Sequence, residues 1–256
     1  MLKLLLWSLL AAAICVAAFI IFLVICALCV DPKKTYPENS RFYRTVLNIA
    51  TAAGMFICGV KVNVEGADKL PEGRFLFVCN HRSKFDPIVT WLKLRKHDLA
   101  FVSKPENFKV PVFGRLIRRC CFMPIDRSSA RHSLETFNHA ADLIKADKVS
   151  VAIYPEGTRN IDCNGLLPFH SGVFMVAQEA GVPVVVAAID GTEDIKRNFP
   201  LHKTIVTLKI VDVMDAQYVM SHRRADISAR AREDMAGALG IDENVILTDE
   251  KASVLQ

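Results

Sequence analysis

Residues 75–87 read FLFVCNHRSKFDP. The apolar run FLFVC suits a strand, and the polar stretch after it cannot continue one. Asp86-Pro87 then suits the start of a helix, because the fixed φ of proline fits a first turn. Strand, loop and helix in immediate succession form the repeating unit of an α/β layer.

The same alternation recurs along the chain. VKVNV (60–64), LAFVS (99–103), CFMPI (121–125), VSVAIY (149–154), VPVVVAAI (182–189) and TIVTLKIVDV (204–213) are further strand-like runs. Between some of them apolar residues recur at helical spacing: Leu134, Phe137, Ala141 and Ile144 in 130–146, then Ile227, Ala231, Met235 and Leu239 in 221–239. Gly240 suits the stop of the second helix. Strands alternating with helices predict an α/β fold with a largely parallel central sheet flanked by helices. This domain is expected to occupy residues 60–256.

The loop NHRSKFDP (80–87) lies just beyond a strand's carboxyl end, where α/β sheets gather reactive groups. His81 and Asp86 are spaced so that the carboxylate can turn back onto one ring nitrogen, leaving the other as a general base. The plain alternative is that Asp86 caps the helix and His81 is a surface residue; local sequence does not choose. A second loop, YPEGTRN (154–160), follows the strand VSVAIY. Gly157 permits a tight turn or a close approach, Arg159 offers a fork suited to phosphate, and Glu156 could position an arginine.

Hydrophobic residues make up 52% of the 256-residue chain. Their densest run is LLLWSLLAAAICVAAFIIFLVICALCV (4–30), which holds no charge. It exceeds the roughly 20 residues that span a bilayer core and is too long for the apolar region of a cleaved signal peptide. Residues 1–59 are therefore expected to anchor the chain: a transmembrane helix at about 4–30, a polar linker, and a second apolar helix at about 41–59. The second helix would lie in the interface or pack beside the first rather than cross. Lys33, Lys34, Arg41 and Arg44 follow the anchor against Lys3 alone before it, which places the body of the protein in the cytoplasm. The compact length favours a bacterial cell membrane over a eukaryotic organelle.

Net charge is +5, yet Lys93 to Arg131 holds ten Lys or Arg against three acids, so the rest sums to −2. That stretch suits anionic lipid headgroups. No nucleic-acid recognition motif is present. Eight cysteines form no framework, and Cys79, Cys120, Cys121 and Cys163 read as free thiols in a reducing compartment. The histidines show no ligand spacing, so no metal site is expected.

Two more blocks accompany the loops: KPENFKVPVFGRL (104–116) leading into FMPIDR (122–127), and LPFHSGVFMVA (167–177) leading into GVPVVVAAI (181–189). In this order and spacing the set resembles the glycerolipid acyltransferase family, most closely the 1-acyl-sn-glycerol-3-phosphate (lysophosphatidate) acyltransferases. The likeness runs from about 60 to 215. His170-Ser171 stands where a basic pair is usual before Gly172, and Ala187 where proline is common; both bear on acyl-chain or headgroup preference.

The resemblance implies acyl transfer from a thioester, acyl-CoA or acyl carrier protein, to the sn-2 hydroxyl of lysophosphatidate. His81 would take the hydroxyl proton while Asp86 fixes the imidazole. Arg159, with Lys104 and Arg127, would hold the phosphate, and Glu156, Gly157 and Thr158 would shape that pocket. No cofactor is implied, and partners beyond these substrates and membrane phospholipids are not. No Ser or Cys has the partners of an activated nucleophile, so no acyl-enzyme is expected. A membrane thioesterase and a non-catalytic lipid-binding protein are the alternatives.

Overall fold

The structure, a computed structural model, describes residues 1–34, 36–161 and 165–241. Cys163 and the end of the expected domain lie outside them. Seven strands form one sheet: β1 (Val60–Glu65), β2 (Leu76–Cys79), β3 (Leu99–Ser103), β4 (Met123–Pro124), β5 (Ser150–Ile153), β6 (Val184–Asp190) and β7 (Thr204–Met214). Their order is β1-β7-β6-β2-β5-β3-β4. All neighbours are parallel except β6 and β7. The expected largely parallel sheet is present, with one antiparallel junction.

The helices are α1 (Leu2–Leu28), α2 (Arg41–Ile57), α3 (Asp86–Lys93), α4 (Phe113–Arg118), α5 (Ala130–Lys145), α6 (Met175–Ala180), α7 (Ile195–Asn198), α8 (Ala216–Ser221) and α9 (Arg224–Leu239). Alternate residues of β2 serve two cores. Phe75, Phe77 and Cys79 face Val89, Trp91 and the helices α2 to α4. Leu76 and Val78 face α5, α6 and α9. Helices on both faces explain why the central strands are apolar at successive positions rather than alternating.

Among the described residues α1 is the one helix long and apolar enough to cross a membrane. It is exposed along most of its length and buried only near its end, at Cys26 and Ala27. There the Tyr43 hydroxyl donates to the Cys26 carbonyl (3.2 Å). α2 is built differently. Ser40 caps its start by accepting from the Tyr43 N–H. One face buries Tyr43, Arg44, Val46, Leu47 and Met55 against the domain. Arg44 donates to the carbonyls of Leu99 (3.0 Å) and Asp98 (3.3 Å) and stacks on Trp91 at 4.5 Å. α2 is thus docked on the domain, with its arginine carried into the core.

Because β2, β5 and β6 run parallel, the loops leaving their carboxyl ends share one end of the sheet: 80–85, 154–161 and 190–194. That is where an open α/β sheet builds its site.

Candidate active site

Asn80 sits directly beyond β2 and is fully buried. Its amide donates to the Ile189 carbonyl (2.9 Å) and its oxygen accepts the Ile189 N–H (2.8 Å), locking the turn to the end of β6. The next residue, His81, is thereby held over the sheet edge. Its Nδ1 lies 2.7 Å from Asp86 Oδ2, and the Asp86 side chain is fully buried.

Asp86 is the first residue of α3, with Phe85 at the cap position. Its Oδ2 also accepts the N–H groups of Arg82 (2.7 Å) and Ser83 (2.8 Å), and its Oδ1 accepts the Thr192 hydroxyl. The two backbone N–H groups and the hydroxyl all use this buried carboxyl group as their acceptor. Nδ1 of His81 then carries the hydrogen, and Nε2 is the nitrogen left for chemistry. The pairing read from the sequence is present and the capping alternative is not: Phe85 holds the cap position, while Asp86 gathers amides of the loop before the helix and orients the histidine.

The imidazole stacks on Tyr154, with centroids 4.4 Å apart and planes 20° apart. Burial pushes the Tyr154 hydroxyl well above its ordinary pKa, so the ring is a neutral platform. Cys79, two residues before His81, is fully buried, and burial followed by the Asp86 charge pushes its thiol well up. A thiol held protonated is a poor nucleophile. Ser83 accepts the Phe85 N–H (3.2 Å), a loop-shaping bond.

His81 lines a cavity of about 630 Å³. Trp91, Phe101, Phe122 and Phe137 form apolar wall, while Lys84, Lys104, Arg127 and Arg159 also line it. Gly157 lines it in the left-handed region at φ 68, and a Cβ there would lie 2.8 Å from His170 Cδ2. His170 is thus packed onto the glycine, at the position where the sequence departs from its family pattern.

Glu156 and Thr158 stand apart from this wall. Neither lines the cavity; Thr158 is exposed and Glu156 is buried. The two Glu156 oxygens accept the N–H groups of His81 (2.6 Å) and Leu167 (3.1 Å). Burial lifts its pKa to about 7 against the opposing pull of those two donors. It therefore ties the histidine loop to the 165–170 segment instead of positioning an arginine. Thr192, Tyr154, Asn80 and Lys84 complete the site without having been singled out for it in the sequence, since long-range contacts leave no local pattern. Arg82 adds a further tie, pairing with Asp190 and with Glu193 (3.2 Å).

Comparison with known proteins places the chain in a family. The chain is 26% identical over 198 residues to the 1-acyl-sn-glycerol-3-phosphate acyltransferase of Escherichia coli (strain K12), covering 75% of this chain and 80% of that protein. It is 31% identical over 139 residues to the protein of the same name from Cocos nucifera, covering 54% of this chain and 44% of that one. Its fold matches the crystal structure of the 1-acyl-sn-glycerophosphate (LPA) acyltransferase PlsC from Thermotoga maritima with a TM-score of 0.59 at 24% identity, covering 75% of this chain and 78% of that one. A family model described as Acyltransferase matches residues 61–190, the span that holds His81, Asp86 and Arg159, and the chain belongs to that family.

Proposed function

We propose that this acyltransferase moves a fatty acyl group from a thioester to the sn-2 hydroxyl of lysophosphatidate, forming phosphatidate for phospholipid biosynthesis. One observation carries the reading. A histidine oriented by a buried carboxylate opens onto a cavity whose wall combines aromatic side chains with four cationic ones. An amphiphile with an alkyl chain and a phosphate matches that wall at both ends.

Nε2 of His81 takes the proton of the acceptor hydroxyl as its oxygen attacks the thioester carbonyl. The tetrahedral intermediate then expels the thiolate, which receives the proton from the imidazolium. The Asp86 charge stabilises that imidazolium, and general-base action of this kind contributes on the order of 10²–10⁴-fold. Arg159, Lys104 and Arg127 hold the phosphate, with Lys84 as a fourth cation. The donor is acyl-CoA or acyl carrier protein, both acidic enough to meet the basic 93–131 stretch. α1 anchors the chain, with Lys33, Lys34 and Arg41 keeping the domain on the cytoplasmic side of a bacterial cell membrane.

The test is purified protein offered lysophosphatidate, a zwitterionic lysophospholipid and a monoacylglycerol, with each donor in turn. Thiol release should require lysophosphatidate and match phosphatidate formed. Release without any acceptor would replace the reading with a thioesterase.

A further inference from the structure

The end of the sheet that carries His81 also carries an exposed apolar cluster outside the cavity. β7 runs antiparallel to β6, with Thr207 opposite Asp190, so β7 starts beside the end of β6. The segment before it, FPLHK (199–203), leaves Leu201 84% exposed and Phe199 46% exposed. This segment abuts the C-terminal turn of α2. The Thr204 N–H donates to the Gly59 carbonyl (3.2 Å), and a Cβ on Gly59 would lie 3.6 Å from Lys203 Cγ. That turn exposes Phe56 at 85% and Ile57 at 68%. Four large apolar side chains on two adjacent segments thus face outward, a grouping that marks an interaction surface.

The charges around it are net positive. Lys61, Lys196 and Lys203 are exposed and have no ion-pair partner among the described residues. Asp194 pairs with Arg197 (2.8 Å), and Asp190 and Glu193 share Arg82, which leaves one negative charge against the three lysines. Apolar side chains ringed by unpaired lysines complement a bilayer with anionic headgroups. Leucine and phenylalanine enter roughly 5–10 Å at the acyl boundary, while ammonium groups stay among the phosphates. A second copy of this chain fits less well, because a two-fold contact would set these lysines against themselves.

We infer that the 199–203 segment and the C-terminal turn of α2 form a membrane contact separate from α1, seating the catalytic end of the sheet on an anionic bilayer surface. The inference holds whatever headgroup the acceptor carries, and its readout is position rather than activity.

The test uses the full chain with Trp7→Phe, which leaves Trp91 as the background tryptophan. The protein is reconstituted in vesicles of phosphatidylcholine and phosphatidylglycerol. Leu201→Trp is compared with Lys145→Trp, an exposed site at the opposite end of the sheet. Emission of Leu201→Trp should shift to the blue. Lipids brominated near the headgroup should quench it about twofold or more above background. Lys145→Trp should answer only to aqueous acrylamide. Removing phosphatidylglycerol should reduce the lipid quenching, and an unchanged value would overturn the role given to the lysines. Acrylamide access at Leu201→Trp equal to that at Lys145→Trp would overturn the inference. So would a blue shift without lipid quenching that grows with the protein-to-lipid ratio, which would assign the patch to a second copy.

Discussion

The hydroxyl of Thr192 donates to Oδ1 of Asp86 across 106 residues of sequence, and both side chains are fully buried. With the Arg82 and Ser83 amides and His81 on Oδ2, this bond leaves the carboxylate no freedom to rotate. Thr192→Val keeps the shape of the side chain and removes the donor. A lost hydrogen bond to a charged group is worth about 1.5–3 kcal/mol, so kcat should fall about tenfold or more. Thr192→Ser should restore most of it. Unchanged turnover in Thr192→Val, beside a normal melting curve, would show that the three remaining donors suffice.

His81→Ala removes the base from a partly exposed position. Turnover should fall about 10³-fold while the circular dichroism spectrum and Tm stay close to those of the parent. Asp86→Asn is gentler, because the amide oxygen can keep the three donors at Oδ2 and its NH₂ can turn to the Thr192 oxygen. The fold should survive while the negative charge beside the imidazolium is lost. Its rate should lie between the parent and His81→Ala; a rate below His81→Ala would mean that the loop itself had moved.

Glu156 links stability to pH. Its carboxyl pKa is raised by burial from 4.5 to about 7, so between those values the folded chain holds a proton that the unfolded chain has released. The contribution is therefore fully present below pH 4.5 and lost as pH rises through about 7, with a slope of up to ~1.4 kcal/mol per pH unit. Glu156→Gln should flatten this part of the Tm profile. It should also lower Tm, because both Glu156 oxygens accept backbone N–H groups and an amide must turn its NH₂ toward one of them. A parent and variant with parallel Tm profiles from pH 5 to about 7.5 would refute the assignment.

All seven strands were legible as apolar-rich runs: helices cover both faces of β2, β3, β5 and β6, whereas β1 and β7 alternate more covered with more exposed positions. The helices at 130–146 and 221–239 were legible from periodicity, and the second stops at Gly240 in the left-handed region as expected. The direction of β7 was not legible, since an apolar run carries no orientation. The His81–Asp86 pair was visible because five residues separate its members and one loop holds both. Thr192 and Tyr154 were invisible, because they meet that pair only through the register of β2 against β5 and β6. Glu156 was noticed for the wrong contact. Its neighbour in sequence suggested an arginine, whereas the fold offers it two backbone amides.

Arg159 lines the cavity together with Lys104 and Arg127, and it makes no hydrogen bond or ion pair among the described residues. Glu156, three residues before it, has both oxygens taken by the His81 and Leu167 amides, so a pairing between these two side chains is not what fixes this loop. A cationic fork with no partner among the described residues, on the wall that holds His81, is placed to grip an anion. Its planar guanidinium can take two phosphate oxygens at once, which an ammonium cannot. Arg159→Lys should then raise the acceptor KM about tenfold or more, consistent with losing one charge-assisted bond, and leave the donor KM nearly unchanged. It should also narrow the rate gap between lysophosphatidate and an uncharged monoacylglycerol, since only the former has a phosphate to lose contact with. Tm should not change, because no internal bond is broken. An equal rise in both KM values with a lowered Tm would instead make Arg159 a support of the loop.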